Sequence, residues 1–212
     1  RLDDGFDFYA PQTMTDGRGR CVMAAWMSTW ATPLSAAACQ WAGSMILPRE
    51  IRLKNDTLTF HPVEDIRRYL SPVVTVSDTR CGALPPLKGR SCRIEILAEN
   101  KDFSLRLFCS ADGREYTAVS YDSRLHTVSL DLSRSGDAAR DTRCIALPEA
   151  PETLRLNLYL DCSSIEIFIG GGERVMTARV FPSGESGGIR FFGDALFRRF
   201  SLWECNAGSQ NK

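Results

Sequence analysis

The segment that most constrains this chain is Leu154-Arg-Leu-Asn-Leu-Tyr-Leu-Asp161, in which leucine takes every second position. Four residues later Ile165, Ile167 and Ile169 repeat the pattern, alternating with Glu166 and Phe168. A period of two puts all the leucines on one face of an extended strand, whereas a helix would scatter them around its circumference. The two runs therefore predict neighbouring strands, with Leu154, Leu156, Leu158 and Leu160 facing a core. Asp161 and Glu166 are expected on the solvent side or in the hairpin.

Further strand patterns lie at Arg93–Ala98, Phe103–Cys109, Tyr116–Tyr121, Thr127–Leu132, Val175–Phe181, Ile189–Phe192 and Phe197–Trp203. Turn signals such as Asp112-Gly113 separate them. Many short strands at this spacing predict an all-β chain with a two-sheet antiparallel sandwich over 71–205. Cys21–Met27 is a continuous apolar run, expected to be a strand buried on both faces or packed in a propeller blade. Between these regions, Val63, Ile66 and Leu70 stand at helical offsets after Pro62, so 61–70 is expected to be a short linker helix ended by Pro72. Residues 1–60 form a separate front piece, and 206–212 form a polar tail.

Composition narrows the function. The 26 basic residues balance 26 acidic ones, so no overall field favours nucleic acid or an anionic membrane. The longest apolar stretches fall far short of the ~20 residues that span a bilayer. The chain opens on Arg1-Leu2-Asp3-Asp4 without Met or an apolar leader, which predicts that it begins inside a longer protein. Its eight cysteines match no metal or haem spacing and read as reduced thiols, several of them buried (Cys21, Cys92, Cys109), in a cytoplasmic protein. With only His61 and His126, a histidine-based metal site is not expected, nor is any cofactor.

Three of the four tryptophans, Trp26, Trp30 and Trp41, fall within sixteen residues of one another. Their rings could stack on the C–H faces of a sugar, or they could form a tryptophan-rich core. The order of the surrounding motifs separates these readings. Asp7-Phe-Tyr-Ala-Pro-Gln-Thr13, Asp16-Gly-Arg-Gly-Arg20, Ala25-Trp-Met27, Trp41-Ala-Gly43 and Leu47-Pro-Arg-Glu50 resemble the end of the catalytic propeller of glycoside hydrolase family 32. That family comprises the invertases, sucrose-6-phosphate hydrolases, levanases and inulinases. Asp161-Cys-Ser-Ser-Ile-Glu-Ile-Phe168, Gly172-Glu173 and Arg179-Val-Phe-Pro182 resemble the signature of its C-terminal sandwich.

The resemblance implies the C-terminal strands of a five-bladed propeller, a linker and a sandwich, and cleavage of β-fructofuranosides with retention. The resemblance further implies an Asp nucleophile and a Glu general acid, and a retaining reaction needs its two carboxyl groups about 5–5.5 Å apart. The family's motifs for them, W-M-N-D-P-N-G and W-E-C-P, and its fructosyl-binding R-D-P, do not occur in this chain. The chain is thus expected to be the C-terminal half of such an enzyme, with no catalytic residue and no activity alone.

What carries over residue by residue is a substrate-binding role for Tyr9 and for Trp30 at the pocket rim, with Asp7 beside Tyr9 and without an evident partner. Trp26 and Trp41 are assigned to packing, and Arg49-Glu50 to an ion pair or strand-end contact. Asp3 and Asp4 are placed in a frayed terminus. Trp203-Glu204-Cys205 looks like the general-acid motif but follows D-F-Y-A instead of preceding it, and Asn206 replaces the proline. It is rejected as a site, with Trp203 read as core of the last strand.

The expected partner is a small carbohydrate: sucrose, sucrose-6-phosphate or a fructo-oligosaccharide. The front strands are expected to pack on the sandwich, or to pair with the missing half or a second copy. The competing reading is a non-catalytic carbohydrate-binding or dimerisation sandwich.

Overall fold

The computed structural model describes residues 1–30, 32, 43–137 and 140–206. The front sheet is a four-stranded antiparallel meander of β1 (Tyr9–Thr15), β2 (Cys21–Trp26), β3 (Arg49–Lys54) and β4 (Thr57–Pro62), in that spatial order. Asn55 and Asp56, at φ +48° and +58°, make the tight β3–β4 turn. Two consecutive residues in the left-handed region match the natural twist of a two-residue hairpin, and Asn and Asp tolerate that region well. Met23 and Ala25 of β2, with Met27, are buried while Cys21 is exposed. The expected two-sided burial of Cys21–Met27 is corrected to burial on one face.

The linker is a six-residue 3₁₀ helix, Glu64–Tyr69, with no buried residue and no side-chain cap. Leu70, expected to end the helix, instead opens the next strand. So short a segment, lacking a buried stripe to hold it in an α-helix, takes the tighter three-residue turn.

The sandwich follows as β5 (Leu70–Arg80), β6 (Leu87–Lys88), β7 (Cys92–Glu99), β8 (Phe103–Cys109), β9 (Thr117–Asp122), β10 (Thr127–Asp131), β11 (Thr142–Ala146), β12 (Thr153–Asp161), β13 (Ser164–Ile169), β14 (Arg174–Arg179), β15 (Gly188–Gly193) and β16 (Leu196–Cys205). One six-stranded sheet has the order β11-β10-β9-β8-β15-β6 and the other β14-β13-β12-β7-β16-β5.

The leucine alternation is realised as expected. Leu154, Leu156, Leu158 and Leu160 are buried and join Ile94, Ile96, Leu105, Leu107, Val119 and Leu130 in one core drawn from both sheets. Across β12 and β13 the register pairs Leu156 with Ile169, Leu158 with Ile167 and Leu160 with Ile165. Strands β3, β4, β5 and β11 carried no clear periodic signal. In β5 and β11 the side chains are mostly exposed, and both are outer strands of their sheets, with too few buried positions to write a period of two into the sequence.

The front sheet lies on the outer face of the second sandwich sheet. Met23, Ala25, Met27, Ile46 and Phe60 pack there against Phe168 and Val175. The Phe60 N–H donates to the Gly172 carbonyl at 2.8 Å. Gly172 sits at φ +93° with its Cα so near the Phe60 backbone that no Cβ could be placed. Ahead of β1, residues 4–7 run along β14, with the Asp4 and Phe6 N–H groups donating to the Val175 and Thr177 carbonyls at 2.8 and 2.7 Å. Gly5 passes against the Thr177 backbone where a side chain would not fit.

Candidate sugar-binding site

Register brings the expected aromatics together. Tyr9 pairs with Trp26 across β1 and β2, and the turn after β2 returns Trp30 to the same spot. The three rings meet edge to face, with centroids 6.3 Å apart for Tyr9–Trp26, 6.3 Å for Tyr9–Trp30 and 5.9 Å for Trp26–Trp30. Edge-to-face contact suits the ring quadrupoles. The cluster is open to solvent, with Tyr9 46% and Trp30 85% exposed. Trp26 holds the other two from beneath, and Gly43, at φ +79°, abuts the Trp26 indole where a Cβ could not fit. Next to Tyr9 the β1–β2 register slips, and Ala10 takes φ +50°. A left-handed alanine costs about 1–2 kcal/mol, and such a bulge re-aims the neighbouring side chain. Trp41, assigned to packing, lies outside the described residues.

Asp7 follows a different course from its neighbour Tyr9. Its side chain is fully buried and turned toward the sandwich. Arg140, between β10 and β11, grips both carboxylate oxygens at 3.1 and 2.5 Å. The Arg179 backbone N–H donates at 2.6 Å and the Thr32 hydroxyl at 2.6 Å. Read from sequence alone, Asp7 lacked a partner; in the fold it accepts four hydrogen bonds. Nothing near it in sequence pointed to Arg140, 133 residues away.

A second buried cluster corrects three expectations. Asp3, placed in a frayed terminus, is buried, and Glu166, placed on the solvent side, is only 3% exposed. Arg49 lies between them, at 3.0 Å from Asp3 and 2.6 Å from Glu166, and donates to the Thr177 hydroxyl at 2.5 Å. Its guanidinium also lies by the rings of Phe8 and Phe168, at 5.5 and 5.3 Å. Glu166 further accepts from the Leu47 N–H at 2.7 Å. Glu50, the expected partner of Arg49, pairs with Arg52 instead. Asp4 likewise is tied down, by Arg174 at 2.8 Å.

Burial drives the Asp3 and Glu166 carboxyls above the ordinary carboxylate range, against the pull of Arg49. One buried cation facing two carboxyls leaves the cluster a net charge short, which favours proton uptake. The signal for this contact was present in β13: Phe168 stands on the supposedly polar face beside Glu166, and an apolar ring there marks a covered surface.

Elsewhere the chemistry is quiet. Trp203 is half-buried on the outer face of β16 beneath the Arg93 guanidinium, 4.5 Å away, and is not core; Glu204 beside it is exposed. Between the front sheet and this face runs a groove of about 470 Å³ that includes His61, Arg67, Arg93, Arg155 and Trp203. Burial raises the Cys81 thiol to about 11 and the Cys92 thiol to about 12, so both stay protonated. Cys21, expected to be buried, is exposed, and the described cysteines are all unpaired. Among the described residues no group of side chains could hold a metal ion, and no helix is long and apolar enough to cross a membrane.

Comparison with known proteins places this geometry in context. Residues 1–62 match the family description "Glycosyl hydrolases family 32 N-terminal domain" and residues 66–204 match "Glycosyl hydrolases family 32 C terminal". Sucrose-6-phosphate hydrolase of Zymomonas mobilis is 32% identical over 217 residues, covering 95% of this chain and 42% of that protein. The structure of sucrose-6-phosphate hydrolase from Lactobacillus gasseri superposes with a TM-score of 0.84 at 25% identity, covering 97% of this chain and 43% of that one. Exo-inulinase from Aspergillus awamori shares the fold, with a TM-score of 0.85 at 24% identity over 96% of this chain and 44% of that one. The chain spans about two fifths of the length of the curated relatives it matches.

Proposed function

The chain belongs to glycoside hydrolase family 32, and on that premise we propose that it forms part of an enzyme that cleaves β-fructofuranosides such as sucrose with retention of configuration. The observation that carries the reading is the solvent-open Tyr9–Trp26–Trp30 cluster on the front sheet. It offers aromatic faces and a phenol for a sugar ring, as a pocket rim does. Tyr9 and Trp30 touch substrate in this proposal, Trp26 supports them, and Asp7 acts from behind the sheet.

The two carboxyls of the reaction lie outside the chain. Asp7 cannot serve as one, since all its acceptor positions are taken by Arg140, Arg179 and Thr32. Nor can Glu166, which is shut between the front sheet and the sandwich. We assign 1–62 to the propeller, 63–69 to the linker and 70–205 to the sandwich, since His61 and Pro62 end β4 and Leu70 opens β5. The substrate is sucrose, sucrose-6-phosphate or a short fructan, and the front strands complete their propeller with the polypeptide that carries the catalytic motifs. The unpaired cysteines favour a cytoplasmic setting.

The test follows fructose release from sucrose and from a short fructan. The chain alone should release none. Activity should appear when the segment bearing the two carboxyls is supplied. In that active form, Tyr9→Ala and Trp30→Ala should each lower kcat/KM about ten- to a hundredfold, the loss of ~1–3 kcal/mol of stacking and hydrogen bonding. Folded variants with full activity would remove both residues from the site. Sugar binding without any turnover, even with the segment present, would favour a carbohydrate-binding module instead.

A further inference from the structure

Trp30 is 85% exposed, yet the turn that carries it is hydrogen-bonded to a fully buried carboxylate, Asp7. The Thr32 N–H donates to the Thr29 carbonyl at 3.1 Å, closing a turn around Trp30. The Thr32 hydroxyl is the hub of this turn. It accepts from the Thr29 N–H at 2.7 Å, lies 3.0 Å from the Thr29 hydroxyl, and donates to Asp7 at 2.6 Å. Asp7, fully buried, is oriented in turn by the two-pronged grip of Arg140 and by the Arg179 N–H. Arg140 lies against the Phe6 ring at 4.7 Å, and its backbone N–H is fixed to the Leu132 carbonyl at 3.0 Å. The path therefore runs without a gap from the sandwich to the rim aromatic.

We infer that Arg140, Asp7 and Thr32 form a positioning relay, through which the sandwich sets the direction of the Trp30 ring. This inference rests on the proposed sugar-binding role of Trp30 for its functional meaning, but not for its geometry. A turn whose aromatic is 85% exposed and meets the Tyr9 and Trp26 rings edge to face has little burial of its own to fix it. Charge-assisted hydrogen bonds with fixed directions supply what packing does not, and a bidentate arginine–carboxylate pair is the most directional of them. A carboxylate accepting from both the arginine and the turn hydroxyl has one rotamer available, and the hydroxyl that donates to it must present its lone pairs to Thr29. The relay makes Arg140 and Asp7 positioning residues for the pocket, although neither reaches the substrate.

The test reads the ring directly. Trp26 and Trp30 are near enough for their transitions to couple, so a fixed arrangement gives an exciton couplet in circular dichroism, with Trp30→Phe setting the baseline. Thr32→Val keeps the volume and removes the hydroxyl, and should abolish most of the couplet. Thr32→Ser restores the hydroxyl and should recover it. Arg140→Met should match Thr32→Val. If Arg140→Met undocks the front sheet, the Thr32 pair decides alone, since both members leave in place the Arg140 and Arg179 bonds by which Asp7 meets the sandwich. A couplet in Thr32→Val equal to that of the parent would overturn the relay, as would loss in Thr32→Ser as complete as in Thr32→Val. Failure of the sugar reading shows separately, as a Trp30→Ala enzyme with an unchanged KM. In the active enzyme, Thr32→Val should raise KM severalfold with kcat preserved, a split that a general loss of stability would not produce.

Discussion

On one side of strands β12 and β13 lie Leu156, Leu158, Ile165 and Ile167, pressed against the other sandwich sheet. On the other side lie Tyr159, Glu166 and Phe168, pressed against the front sheet. The first contact is apolar throughout, and burial there needs no particular orientation to be favourable. The second mixes a small apolar patch with buried charges: Arg49 between Asp3 and Glu166, and Asp7 on Arg140. Charges removed from water gain only in the correct geometry, so this interface docks one way or poorly. The hydrophobic contact holds the sandwich together; the ionic contact sets where the front sheet, and with it the aromatic cluster, must sit.

This contrast can be broken most forcefully at Arg49. Arg49→Met leaves two carboxyls buried without their cation and should cost about 3–5 kcal/mol. The loss should be local. Amide hydrogen exchange should accelerate across residues 1–62 while 154–169 keeps its protection. Equal acceleration in both regions would mean that they fold as one unit and that the contrast is only chemical. The complementary change, Leu158→Ala, should cost about 2–5 kcal/mol by leaving a cavity in the core. Its effect should spread over β12 and over β7 and β13, which pair with it on either side. A loss confined to the front sheet would invert the comparison.

A subtler probe is pH. Asp3 and Glu166 hold protons more tightly folded than their ordinary values of 3.8 and 4.5 would allow, because burial disfavours their charge. A carboxyl raised on folding stabilises below its unfolded value, and that help fades as pH climbs through the folded one. Docking of the front sheet should therefore weaken as pH rises above about 4.5, and Glu166→Gln should flatten this dependence whatever constant loss it brings. Protection in 1–62 followed across pH measures it. Docking that strengthens over the same range would show that Arg49 outweighs burial.

The two regions also differed in how far the sequence disclosed them. The core face of β12 and β13 was legible because period-two burial writes itself into adjacent residues. The aromatic cluster was legible in part, since Tyr9, Trp26 and Trp30 lie on or beside paired neighbouring strands. The ionic junction was not, for its partners come from 46 to 133 residues apart and each one, taken singly, resembles an ordinary surface charge. Glu166 was misread because alternation tells which residues share a face but not whether a second layer covers it. Asp7 was misread because D-F-Y-A suggests one continuous pocket strand, whose period of two would put Asp7 and Tyr9 on the same face, whereas β1 begins only at Tyr9 and Asp7 belongs to the segment that runs along β14.

Residues 4–6 have one more consequence, for how the molecule keeps to itself. By pairing with Val175 and Thr177 they occupy the outer side of β14, which is the last strand of its sheet. Uncovered, that strand would present Val175-Met-Thr-Ala178 as a free row of donors and acceptors, a template on which another molecule's strand could lie down. Gly5 lets the covering segment come close enough to block it, so a bulkier residue there acts twice, pushing the segment off and opening the edge. Loss of these few residues would therefore register as aggregation, appearing with concentration and time, before it registered as unfolding.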